Sequence, residues 1–186
     1  MHPPRRALAA LLAAFVLLAN PPDCAAQSDR AAEHQVKAAF LYKFASYVEW
    51  PESAFARPDT PITIAVLGEE PLAVELEQAA AGRTVNDRRI AVRRVKAGES
   101  LAGIHILFVG KPESGRLGQI VQSALAQSIL TVTESDGALA QGSVINFLVA
   151  DRRVRFEISL QSAERSKLRL SSRLLAVAAQ VRPGAP

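Results

Sequence analysis

The run Gly142-Ser143-Val144-Ile145-Asn146-Phe147-Leu148-Val149, the polar turn Ala150 to Arg153, and the run Val154-Arg155-Phe156-Glu157-Ile158-Ser159-Leu160 decide how this chain folds. Both apolar runs have ordinary strand length and are rich in branched and aromatic residues. A charged four-residue loop joins them, the pattern of an antiparallel hairpin. In the second run Val154, Phe156 and Ile158 alternate with Arg155 and Glu157, so one face is apolar and the other polar. The first run lacks that alternation and needs cover on both faces, as at the centre of a sheet. After a short polar helix, Ser171 or Ser172 can cap a final helix whose apolar positions Leu174, Leu175, Ala178 and Ala179 form one stripe.

Upstream of the hairpin, Ile129 to Thr133, Ile104 to Val109 and Ile62 to Leu67 read as strands. Helices are predicted over Gly115 to Gln127, carrying Leu117, Ile120, Val121 and Leu125, and over Leu72 to Ala81, stopped by Gly82. Arg83 to Val85 and Arg89 to Val95, turning at Asn86-Asp87, read as a small hairpin or bent strand pair. Strands alternating with helices at this spacing predict right-handed crossovers. The expected fold is a single α/β domain, a largely parallel open sheet flanked by helices, with the C-terminal antiparallel hairpin as its edge.

The first helix is predicted from Ser28 or Asp29 as cap to about Val48, with Pro51 ending it at Trp50. Val36, Phe40, Phe44 and Tyr47 form its apolar stripe, widened by Ala38, Leu41, Ala45 and Val48, while Lys37 and Lys43 are its main charges. Such a broad stripe implies deep burial or partial cover by another chain.

The 186 residues, 49% of them hydrophobic, suit one domain with a proper core. Arg5 and Arg6 precede the apolar run Ala7 to Ala19, too short to span a bilayer, and Cys24-Ala25-Ala26 offers small residues for cleavage. Residues 1–26 are therefore read as a secretory signal peptide, and residues 27–186 as the mature domain. A lipoprotein signal ending at Cys24 is the rival, but Pro21, Pro22 and Asp23 depart from its pattern; an uncleaved anchor would need a longer run. Cys24 is the only cysteine, so the mature chain has no disulfide, thiol nucleophile or cysteine metal ligand. Losing Arg5, Arg6 and Asp23 lowers the formal charge from +4 to +3, which does not argue for nucleic acid.

Catalytic motifs are missing. The turn after the first strand of the sheet, Gly68-Glu69-Glu70-Pro71, has one glycine and two carboxylates that would repel phosphate. There is no P-loop and no nucleophile elbow. His34 reads as solvated and His105 as a hydrogen-bonded structural histidine, with no partner at metal-ligand spacing. Two basic clusters, Arg83 to Lys96 and Arg152, Arg153 and Arg155, suit the polar faces of edge strands, or an acidic partner. Tyr42, Tyr47 and Trp50 beside Lys43 and Glu49 have the composition of an interface anchor, or of rings sealing the helix onto the sheet.

Several stretches resemble the YfiR-like family. They are Val36 to Phe44, Tyr47 to Pro51, Ile62 to Gly68, Gly82 to Val85, Ile90 to Val95, His105 to Val109, Ile129 to Glu134, Gly142 to Phe147, Val154 to Ile158 and Ser171 to Leu175. The resemblance implies a periplasmic regulator without enzymatic activity or cofactor. It would bind the periplasmic part of an inner-membrane diguanylate cyclase and hold it inactive, lowering cyclic di-GMP and biofilm formation. It also implies an OmpA-like outer-membrane lipoprotein that sequesters the repressor, and a homodimer. The contact set proposed on this basis is Lys43, Tyr47, Glu49, Trp50, Arg155 and Glu157; exchanging Trp50 or Tyr47 for alanine should weaken binding with the fold intact. This chain has Ile104 where relatives often carry cysteine, which excludes control through a cystine, and Ala138 where an aromatic is usual. The alternative is a periplasmic small-molecule sensor using the crevice at the strand ends of an open sheet.

Overall fold

The computed structural model describes residues 23–184. The expected leader lies outside the described residues up to position 22, and the first helix, α1 (Asp23–Phe44), runs through the expected cleavage point.

The remaining elements are β1 (Val48–Glu49), β2 (Ile62–Leu67), α2 (Glu70–Ala80), β3 (Thr84–Val85), β4 (Arg88–Val95), β5 (Ile106–Val109), α3 (Leu117–Leu125) and β6 (Leu130–Thr133). They are followed by β7 (Ile145–Ala150), β8 (Arg153–Ser159), α4 (Leu160–Arg165), β9 (Arg169–Leu170), α5 (Ser172–Val177) and β10 (Gln180–Arg182). Among the described residues eight strands form one sheet in the order β10-β8-β7-β6-β5-β2-β4-β3. The pairs β7/β6, β6/β5, β5/β2 and β2/β4 are parallel, while β8 runs antiparallel to β7 and β3 to β4. The mixed α/β fold and its mostly parallel sheet are those predicted.

The parallel strands carry apolar side chains on both faces because both are covered. On one face Ile64, Val66, Ile106, Phe108, Leu130, Val132, Phe147 and Phe156 meet α1 and α2 through Leu41, Phe44, Leu72 and Leu76. On the other, Ala65, Leu67, Leu107 and Val109 meet α3 through Leu117, Val121 and Ala124. Phe44 sits at the centre of the first layer, its ring 5.9 Å from Phe147 and 5.2 Å from Phe156.

Three features differ from expectation. Helix α1 stops at Phe44: Tyr47 N–H turns back to Phe44 O at 2.9 Å, and Val48–Glu49 then pairs antiparallel with Arg169–Leu170. Burying Val48 against β9 outweighs another helical turn, and Ser28 and Asp29 lie inside the helix instead of capping it. The buried face of α1 is also rotated, because Val36 is 43% exposed whereas Lys37, Ala38, Leu41, Phe44 and Ala45 are buried. Finally, the hairpin is not the sheet edge. Ser171 caps α5, which ends at Val177, and Ala179 N–H bonds Phe156 O at 2.8 Å, leading into β10 parallel to β8.

The candidate site at the ends of the parallel strands

Strand β2 leads to α2 on one face of the sheet, and neighbouring β5 leads to α3 on the other. Between them the chain direction switches, and open α/β sheets bind ligands outside the carboxyl ends of their strands at such a point. Gly110 packs its backbone against Gly68, where an added Cβ would come within 3.1 Å of Gly68 O, so this pinch closes the floor of the crevice. Above it lie two adjoining hollows of about 600 and 750 Å3. Glu33, Lys37, Lys111 and Glu134 line both.

Lys37 is 3% exposed. Its ammonium donates to the buried Glu134, and to Glu33 one helical turn away. Glu134 follows β6, and its other oxygen accepts the Lys111 backbone N–H at 3.1 Å, tying the ends of β5 and β6 together. Burial opposes the charge on Lys37, but hydrogen bonds to Glu134 and Glu33 outweigh it and raise its pKa above the ordinary 10.5. His34, expected to be solvated, is half-buried beside the same hollow, with Nε2 3.2 Å from Glu69.

The opposite face of the sheet carries a buried polar chain. Thr133 Oγ1 donates to Asn146 Oδ1 at 2.8 Å, and Asn146 Nδ2 donates to Glu157 Oε1 at 3.1 Å. Arg182 from β10 donates to Glu157 Oε2 at 3.3 Å. Glu157, expected on a solvent face, is thus buried, because Asn146 and the unforeseen β10 satisfy it.

The six sequence-predicted contact residues do not form one patch. Lys43 and Glu49 are exposed, and Tyr47 is half-buried with its carbonyl accepting from Ser171 N–H. Arg155 is exposed, but it points away from the Phe156 face that α1 covers. Trp50 is built into the fold: its indole N–H donates to His105 O at 3.2 Å, and its ring meets His105 edge-on. Alanine at Trp50 therefore costs stability as well as surface.

His105 is structural. Its Nδ1 accepts from Thr63 N–H at 3.1 Å, and its Nε2 donates to Ala54 O at 3.2 Å, which requires the neutral ring. Burial chiefly lowers its pKa from 6.5; the Ala54 hydrogen bond opposes this and nearby Arg88 adds to it. Because the folded value is depressed, the unfolded chain takes up the proton first, so this contribution is complete above about pH 6.5 and shrinks below it. The unfolding free energy from urea titrations should fall between pH 7.5 and 5.5, by up to about 1.4 kcal/mol per pH unit at the steepest. His105→Gln should flatten that fall; an equal slope in the variant contradicts the assignment.

The basic cluster on β4 is largely committed within the fold. Arg94 pairs with Glu70 and Glu77, Arg93 donates to Ser100 O at 2.7 Å, and Arg88 lies 3.9 Å over the Phe55 ring. Among the described residues no group of three His, Cys, Asp or Glu converges to hold a metal. No described helix is long and apolar enough to cross a membrane.

A crystal structure of a conserved domain protein from Vibrio cholerae O1 biovar El Tor strain N16961 is similar in fold, with TM-score 0.50 and 11% identity. The likeness covers 64% of this chain and 54% of that one, so the chain spans about half of that protein. No curated protein matches significantly. The YfiR/HmsC-like family model matches residues 34–179, from the middle of α1 to the start of β10. The chain belongs to the YfiR/HmsC-like family, a regulatory rather than catalytic family of periplasmic proteins in cyclic di-GMP signalling.

Proposed function

We propose that the mature chain is a stoichiometric repressor. It binds the periplasmic portion of an inner-membrane diguanylate cyclase and shifts that enzyme toward its inactive state, lowering cyclic di-GMP and biofilm formation. The family match over residues 34–179 carries this reading. Export by cleavage of residues 1–26, release by an OmpA-like outer-membrane lipoprotein, and a homodimeric form belong to the same proposal. The contact surface proposed is the turn after α1, where exposed Lys43 and Glu49 flank half-buried Tyr47 next to Trp50, with Arg155 as a separate point and Glu157 buried on the far face of the sheet.

The double variant Lys43→Glu/Tyr47→Ala is expected to weaken binding to a purified cyclase periplasmic domain roughly tenfold or more, as for loss of an interface anchor. Because the Tyr47 ring also packs against the core, Lys43→Glu alone, at an exposed position, is the companion variant and should weaken binding with its thermal midpoint near wild type. Undiminished affinity would remove this contact surface, and no complex for the unmodified chain at micromolar concentrations would remove the repressor reading.

The crevice at the strand ends favours a second reading, in which a small periplasmic ligand bound there tunes the partner complex. Two hollows of about 600 and 750 Å3 fall within the ordinary size of ligand sites.

A further inference from the structure

The paired strand ends Val109 and Thr133 carry Lys111 and Asp136 on neighbouring loops at the mouth of the larger cleft formed by the two hollows. Neither side chain has an ion-pair partner among the described residues, whereas Lys37 is shared between Glu33 and Glu134 deeper in, a group with one net negative charge. Ser135 lies between them in sequence and lines the same hollow. It is 7% exposed, and its hydroxyl is shut off from solvent without a hydrogen-bond partner. That hydroxyl is closed to the cleft as well as to bulk water, so a ligand there would rest on the two free charged groups and not on Ser135.

The charge pattern restricts what that ligand is. A polyanion would face Glu33, Glu134 and Asp136, and a polycation would face Lys37 and Lys111. A molecule with one charge of each sign meets both free groups. Leu148 and Val149 add an apolar stretch of wall, Val149 being 55% exposed.

We infer that this cleft binds a small zwitterion of the α-amino-acid type, its carboxylate on Lys111 and its ammonium on Asp136. This rests on the second reading above and is independent of the repressor reading. It gives the regulator a soluble input at the strand ends, apart from the turn after α1 proposed for the cyclase.

Calorimetric titration of residues 27–186 tests it with five probes at equal concentration: L-leucine, 4-methylpentanoate, isopentylamine, glucose and inorganic phosphate. Leucine is expected to bind, and the acid and amine that each lack one of its charges are expected to bind roughly tenfold more weakly or worse. Lys111→Met and Asp136→Asn should each weaken leucine by a similar factor without shifting the ligand-free thermal midpoint, since neither side chain has a structural partner. Equal binding of leucine and either one-charge analogue overturns the zwitterion assignment. Binding of glucose or phosphate alone overturns it too, while leaving the sensor reading standing. Silence from all five overturns both.

Discussion

Lys37→Met is expected to destabilise the fold by about 3–5 kcal/mol, because it leaves the Glu134 carboxylate buried without its counter-charge. The side chain of Glu134 is only 7% exposed, and the Lys111 N–H alone cannot offset a desolvated charge. Glu33, at 32%, can turn to water and contributes less to the loss. The double variant Lys37→Met/Glu134→Gln should return to within about 1 kcal/mol of the unmodified chain, since a neutral amide still accepts from Lys111. Urea unfolding of the four proteins measures this directly. Two additive losses in the double variant would mean that the two groups do not interact in the folded protein.

Phe44→Ala should cost a comparable amount, about 3–5 kcal/mol. Phe44 is 1% exposed and packs against Phe40, Phe147 and Phe156, with the Phe40 ring centroid 5.9 Å away. No flexible neighbour closes the space it leaves, since three of its contacts are rings held by a sheet and a helix. The measurement also separates the two explanations for the broad apolar stripe of α1. If that face were reserved for another chain, Phe44→Ala would lower partner affinity and leave the unfolding midpoint near wild type. The fold requires the reverse order of effects.

The parallel strands were legible because their environment simplifies their sequence. A strand covered on both sides must be apolar at consecutive positions, and Ile62–Leu67 therefore announces itself to the residue. Helix α1 was found but turned through the wrong angle. Lys37 lies in register with Leu41, Phe44 and Val48, yet a lysine among alanines reads as a solvent position until its partner is known, and Glu134 is 97 residues away. The register was the available signal, and it was outvoted by charge. Glu157 illustrates the converse. Alternation assigned its face correctly, but that face is covered by Arg182 from β10, three residues too short and too polar to be recognised by pattern.

The cleft was anticipated as a place and not as a set of residues. An open α/β sheet has a crevice at the carboxyl ends of its strands where the chain direction switches. The side chains that line this one come from α1, from β7 and from the turns after β2, β5 and β6, segments with no shared motif. Only the topology that sets β5 beside β6 makes neighbours of Lys111, Glu134 and Asp136. The Trp50 cluster was similarly ambiguous: its composition fits an interface, and its hydrogen bond to His105 O shows that much of the ring serves the fold.

Cyclic di-GMP synthesis by a full-length inner-membrane diguanylate cyclase of the same organism, reconstituted in nanodiscs and titrated with residues 27–186, tests the repressor account most directly. The account predicts a fall in rate that saturates near one protomer of the mature chain per cyclase protomer. A rate unchanged at a large excess of folded protein would contradict it.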